Sequence, residues 1–238
     1  MGVRVTKTTE WVDEFMARIA PYERRIVQHQ YFQEMASGAL SMKRFHGGLI
    51  NFYPLIKSFP TYMALTLSKL SSADTAFGMK ARQWLLGNIR VERRHAGWWK
   101  DWAAGFGVPR DLLEGEICPP PEMDAINNFL WRTCTRGSFV EAISATNFAI
   151  EGPTGQWARY VQKGMTKYKT VKGVKVNDRT MKWIRAHADY DDQHPQEAFD
   201  IIKCSIDTAD DRKKAEKAVI RSMEYYALAL DSCYELFG

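Results

Sequence analysis

The chain has 238 residues, 45% hydrophobic and 26% charged, the make-up of a globular protein large enough to bury a substantial core. Its 33 basic and 28 acidic residues leave a formal net charge of +5, and the basic residues form only short clusters such as Arg93-Arg94 and Lys213-Lys214. This argues against an extended basic stripe for nucleic acid, and no apolar run approaches the length of a membrane span.

The elements follow in chain order. Thr8 or Thr9 is expected to cap a helix through Ala20, and Pro21 to open a second that ends at Gly38. Ser41 caps a helix from Met42 to Leu70, which Pro54 and Pro60 should kink or break. Asp74 starts a long helix to about Phe106, stopped by Gly107-Val108-Pro109. EICPPP (116–121) reads as a rigid connector, followed by helices over Glu122–Thr135 and Ser138–Gln162, the second distorted near Gly152-Pro153. The basic stretch 163–177 lacks helical periodicity and reads as a surface loop, with a little strand at most. Asp178 caps a helix to His194, Pro195 begins a new turn, and Asp210 opens a last helix to Leu236.

Strands do not alternate with helices, so the expectation is one all-α domain over 1–238, a bundle of seven or eight helices. Cys118, Cys134, Cys204 and Cys233 show no CxxC spacing, and the N-terminal MGVRVTKTTEW has no long apolar core of the kind a secretory leader carries. Reduced thiols in a cytoplasmic protein are the simplest reading. No nucleic-acid or membrane partner is expected. A homodimer is the commonest symmetric assembly.

Three constellations carry candidate chemistry. Glu92-Arg93-Arg94-His95 puts a carboxylate and an imidazole three residues apart on one helix face, where both can reach the same metal. Alone, that spacing is better explained by a solvated polar face. His187, Asp191 and His194 fall within a narrow arc over two turns, an N/O donor set that suits iron or manganese. Their polar neighbours also fit a surface helix, but three of the five histidines sit in these two motifs. Glu151 follows the apolar run AISATNFAI, where a carboxylate is costly to bury unless paired or metal-bound; a solvent-facing helix end is the alternative. Together they offer three carboxylates and three imidazoles, enough for two metals with positions left for dioxygen and substrate. A GxSxG elbow, a P-loop and a Rossmann fingerprint are all missing.

In RQWLLGNIRVERRHAGWW, AISATNFAIEGPTGQW and MKWIRAHADYDDQHPQEAF the chain resembles the haem-oxygenase-like di-iron oxidases, relatives of the TenA thiaminases and the PqqC quinone synthases. Within that group the blocks also resemble the decarboxylases that turn medium-chain fatty acids into terminal alkenes. The resemblance implies a bundle of about seven helices round a central pocket. It implies two ferrous ions held by Glu92, His95, Glu151, His187, Asp191 and His194, with dioxygen as co-substrate. It also implies oxidative C–C cleavage of a small carboxylate, either a medium-chain fatty acid or an aromatic amino acid such as a tryptophan derivative that becomes a nitrile. Candidate pocket residues are Tyr53, Tyr62, Asn147, Phe148, Thr154 and Tyr190, with Phe52 and Phe59 as further aromatic wall; core packing is the other role open to the aromatic ones. The alternatives are a cofactorless or thiaminase-like enzyme of the same fold, and a non-enzymatic metal-binding helical protein.

Overall fold

The computed structural model describes residues 4–70, 75–190 and 194–238, with side chains for all of these except 4–9, 190 and 194. Every regular element among them is helical. The α-helices are α1 (Arg4–Val27), α2 (Gln30–Ser37), α3 (Met42–Asn51), α4 (Tyr53–Leu67), α5 (Ala76–Gly105), α6 (Arg110–Glu114), α7 (Pro121–Arg136), α8 (Phe139–Ile143), α9 (Glu151–Gly164), α10 (Lys182–Tyr190), α11 (His194–Ser205) and α12 (Ala209–Leu236). A π-helical segment (Ser144–Phe148) joins α8 to α9, and a 3-10 turn (Met165–Thr170) follows α9. The all-α class is as expected, but breaks divide the chain into more helices than the seven or eight anticipated. Among the described residues, no helix is long and apolar enough to cross a membrane.

Several boundaries obey local chemistry. Gly38 ends α2 in the left-handed region at φ 79°, and its N–H reaches the carbonyls of Glu34 and Met35. Ser41 caps α3 by accepting from the Arg44 N–H. Ser138 and Glu141 form a reciprocal capping box on α8.

Other boundaries depart from the expectation. Pro21 does not open a helix: α1 runs through it, because Pro21 sits on the exposed face while Ile19 and Ile26 are buried on either side and α1 packs along α12 and α9. Pro60 likewise lies inside α4, whereas Pro54 falls in the first turn, where a missing N–H is harmless. Thr75, rather than Asp74, caps α5 through the Gly78 N–H. The stretch 163–177 contains a 3-10 turn and no strand, and α10 starts at Lys182, after Asn177 Oδ1 has accepted from the Arg179 and Thr180 N–H groups. Thr208, with Asp211, caps α12.

The helices enclose one another in pairs. α4 packs on α5 and α7, α12 on α7 and α1, and α9 on α10 and α2. Aromatic side chains fill the middle. Trp102 and Trp183 stack 5.4 Å apart, Trp99 meets Trp183 edge-on at 4.7 Å, and Phe32 stacks on Trp157 at 4.1 Å.

Asp101, near the end of α5, ties that helix to the segment that leads into α10. It accepts from Arg179 Nη2 at 2.9 Å and pairs with Arg110. Burial opposes ionisation of Asp101, but the two guanidinium groups together hold its carboxyl below the usual range. A depressed carboxylate pKa adds stability above about pH 4, and that stability is lost as pH falls through the folded value. D101N should therefore lower Tm by roughly 2–4 °C at neutral pH. The gap should narrow in thermal melts taken at successively lower pH below about 4; a gap unchanged with pH would refute the ion-pair account.

Candidate metal centre and its cavity

The end of the capping box leads straight into the site. Past Ile143 the backbone widens into the π segment, all five residues of which are buried. The irregular turn is held from both sides: Ala149 N–H donates to the Ser144 carbonyl across five residues, and Ser222 Oγ from α12 donates to the Ala145 carbonyl at 2.7 Å. Such a π turn re-aims the side chains that follow. Here it delivers Glu151 at the start of α9, where the carboxyl is only 4% exposed and accepts from Asn147 Nδ2 at 2.8 Å. The distortion expected at Gly152-Pro153 thus lies one turn earlier.

α5 presents Glu92, His95, Trp99 and Trp102 at helical spacing on one face, and all four border the central cavity. His95 Nδ1 lies 2.7 Å from Glu92 Oε2, but the approach lacks hydrogen-bond geometry and the nitrogen has no other hydrogen-bond partner among the described residues. Two buried lone-pair donors so close together suit a shared cation. α10 brings His187 against them, its ring 4.6 Å from that of His95. His187 Nδ1 is 2.8 Å from the Trp183 carbonyl, so it carries the proton and donates. That leaves Nε2 as the lone-pair nitrogen, the arrangement found in metal-ligating imidazoles. Trp183, one turn earlier, stacks on the His187 ring at 3.8 Å.

Glu92, His95, Glu151 and His187 therefore border one cavity, which holds about 730 Å³ of empty space out to its mouth. Asp191 lies outside the described residues, as does the His194 side chain. Among the described residues no three His, Cys, Asp or Glu side chains group closely enough to hold an ion by themselves. The four that are described still pass a test of fit: they are two carboxylates and two imidazoles, all at least 94% buried, and one buried imidazole nitrogen has no hydrogen bond.

Of the candidate pocket residues, Thr154 borders the cavity, as do Phe52 and Phe59. Asn147 stands behind Glu151. Tyr53, Tyr62 and Phe148 do not reach it. Tyr53 faces a separate surface hollow with Lys57, Tyr62 is fixed by Asn127 and Trp131 between α4 and α7, and Phe148 packs between Phe15 and Phe199. In each case the α4 or π-segment register turns the ring away. The Tyr190 side chain is outside the described residues.

Sequence reasoning missed Tyr31, Trp157, Trp183 and Tyr226, which also wall the cavity. Trp183 sits four residues before His187 and Trp157 three after Thr154, so helical register with the candidate residues was the available signal. Tyr226 accepts from Trp157 Nε1 at 3.0 Å and lies 3.3 Å from Thr154 Oγ1, which donates to the Ile150 carbonyl. Burial pushes the Tyr226 phenol up, against the pull of its Thr154 and Trp157 bonds, and burial also raises Tyr31. Both remain neutral hydroxyls at neutral pH.

The model of a family described as iron-containing redox enzymes matches residues 48–227. The chain belongs to this family. The match takes in Glu92, His95, Glu151, His187, Asp191 and His194. A solved TenA homologue from Pseudomonas syringae pv. tomato is 32% identical to this iron-containing redox enzyme family member, covering 94% of this chain and 92% of its own, with a TM-score of 0.85. A domain of haem-oxygenase-like fold from Shewanella denitrificans is 14% identical with a TM-score of 0.69, covering 100% of this chain and 94% of its own, which shows the fold alone. The 4-aminobenzoate synthase of Chlamydia trachomatis is 23% identical over 205 residues, 84% of each chain.

Proposed function

We propose that this protein is a non-haem di-iron enzyme that uses dioxygen to oxidise a small carboxylate-bearing substrate, with cleavage of a C–C bond next to the carboxylate. The observation that carries this reading is the meeting of Glu92, His95, Glu151 and His187, from three separate helices, at one buried cavity. Glu92 and His95 of α5, Glu151 of α9 and His187 of α10 would hold the iron, with Asp191 and His194 completing six ligands. Bound iron would supply dioxygen activation and one-electron chemistry.

The remaining work falls to the chain. Asn147 orients the Glu151 carboxylate, and the Trp183 carbonyl fixes the His187 tautomer. The cavity wall is largely hydrocarbon and aromatic, and Phe52, Leu55, Ile56 and Phe59 would exclude water and grip an apolar tail. A medium-chain acyl group and an aromatic side chain both suit that wall. The aromatic choice gains support from relatives named for 4-aminobenzoate, a flat aromatic carboxylate.

A metal-independent enzyme of the same fold is the second reading, favoured by the likeness to a TenA homologue at 32% identity. Iron analysis with oxygen uptake separates them. Protein made with added iron should carry close to two irons per chain and consume dioxygen with at least one of octanoate, dodecanoate or tryptophan. Turnover that persists after chelation, or a chain that cannot be loaded with iron, overturns the proposal.

A further inference from the structure

Four tryptophans border the central cavity, and their indole N–H groups divide into two kinds. Trp99 Nε1 donates to the Leu49 carbonyl at 2.7 Å, and Trp157 Nε1 donates to Tyr226. Among the described residues the Nε1 atoms of Trp102 and Trp183 have no hydrogen-bond partner, although each side chain is only 1% exposed. Buried indole N–H groups usually find an acceptor, and an unmet one in a native fold calls for an explanation. These two are not scattered. Their rings are parallel within 11° and 5.4 Å apart, and Trp183 also lies flat on His187.

We infer that Trp102 and Trp183 form the substrate's anchoring point: their indole N–H groups receive an acceptor oxygen of the ligand, a carboxylate or carbonyl oxygen, beside His187. An indole N–H donates and cannot accept, so these two nitrogens select an acceptor oxygen and offer an ammonium group no hydrogen bond. The neighbouring hydroxyls are already engaged, Tyr226 and Thr154 with each other, Trp157 and the Ile150 carbonyl, and Tyr31 with the Arg44 carbonyl, so they do not compete for the ligand oxygen. A carboxylate has two acceptor oxygens and can meet two donors at once. Both side chains line the cavity and neither nitrogen is open to bulk solvent, so the acceptor we assign to them is a group that has entered the cavity.

The inference deepens the oxidase reading, from which it takes the substrate's carboxylate, but its test does not use iron. Metal-free protein carrying 15N-labelled tryptophan is titrated with benzamide, a neutral carbonyl acceptor that Glu92 and Glu151 do not repel, and with ethylbenzene, of similar size without an acceptor. Benzamide should move two of the eight indole N–H signals downfield, and ethylbenzene should not. W102F and W183F each keep an aromatic ring, should each remove one of those two signals, and should each weaken benzamide binding about three- to tenfold. The idea is overturned if benzamide does not bind at millimolar concentration or binds without moving those signals, if ethylbenzene moves them equally, or if both variants bind as tightly as the parent. If a variant does not fold, the contrast between the two ligands on the parent protein still decides. Indole shifts in a chain that never loads iron would uphold the anchoring point and sink the oxidase; iron loading with silent indoles would do the reverse.

Discussion

Glu151→Gln is expected to halve the iron content at least and to slow dioxygen-dependent turnover by about 100-fold or more, while the metal-free protein stays folded. Glutamine keeps the volume and keeps an acceptor for the Asn147 amide, so the buried hydrogen bond at 2.8 Å survives. What it removes is a carboxylate oxygen that a metal can bind, on a side chain only 4% exposed. With volume and hydrogen bond kept, the metal-free variant should melt close to the parent. Iron should then raise the melting temperature of the parent, because a ligand that binds only the folded state stabilises it, and should raise that of the variant much less. Asn147→Ala supplies a graded comparison, since loss of an outer partner of a metal ligand costs about 10- to 100-fold in metal affinity or activity. An E151Q enzyme with full iron and parental turnover would remove Glu151 from the centre. A purely structural role predicts the opposite pattern, a lower melting temperature without iron and an unchanged rise with it.

The part of this centre that was legible in the sequence is the part written in helical spacing. Glu92 and His95 three apart, and His187 in a polar run, could be picked out because a helix fixes which side chains share a face. Glu151 was visible from a conflict, a carboxylate at the end of an apolar run, and the structure resolves that conflict with a buried cavity, a π turn and the Asn147 amide. The cap at Ser41, the helix start at Ser138 and the stop at Gly38 were legible because they depend on neighbours only. Pro21 was misleading for the complementary reason. Its local cost is real, but α1 is held on both sides of it by long-range packing. The aromatic wall was assigned to the wrong members for Tyr53, Tyr62 and Phe148, because a ring's direction depends on the crossing of helices far apart in the chain. Trp102 and Trp183 are 81 positions apart yet stack, and no local pattern announces that.

The crossing of α2 and α9 gives the largest expected effect on folding. A Cβ placed on Gly164 would stand 2.0 Å from the Ala36 carbonyl oxygen and 2.6 Å from its carbon, and both belong to backbone. Backbone cannot rotate aside as a side-chain tip can, so Gly164→Val must push the end of α2 away from α9. α2 carries Tyr31, Phe32 and Met35 into the cavity wall, and α9 carries Glu151, Thr154 and Trp157, so the displacement would open the stacked Phe32–Trp157 pair as well. Overpacking of this kind costs about 1–3 kcal/mol and more when backbone must move, against which valine's restricted backbone returns only a fraction. For a chain of this size that is a fall in Tm of roughly 5–12 °C in a thermal melt. Gly87, exposed in the middle of α5, is the control: a Cβ there meets nothing within 4 Å. Gly87→Ala should raise stability by up to about 1 kcal/mol, because alanine is the better helix former and loses less entropy on folding. If the G164V protein melted with the parent, the two helices would not be in backbone contact, and the wall of the cavity would have to be drawn differently.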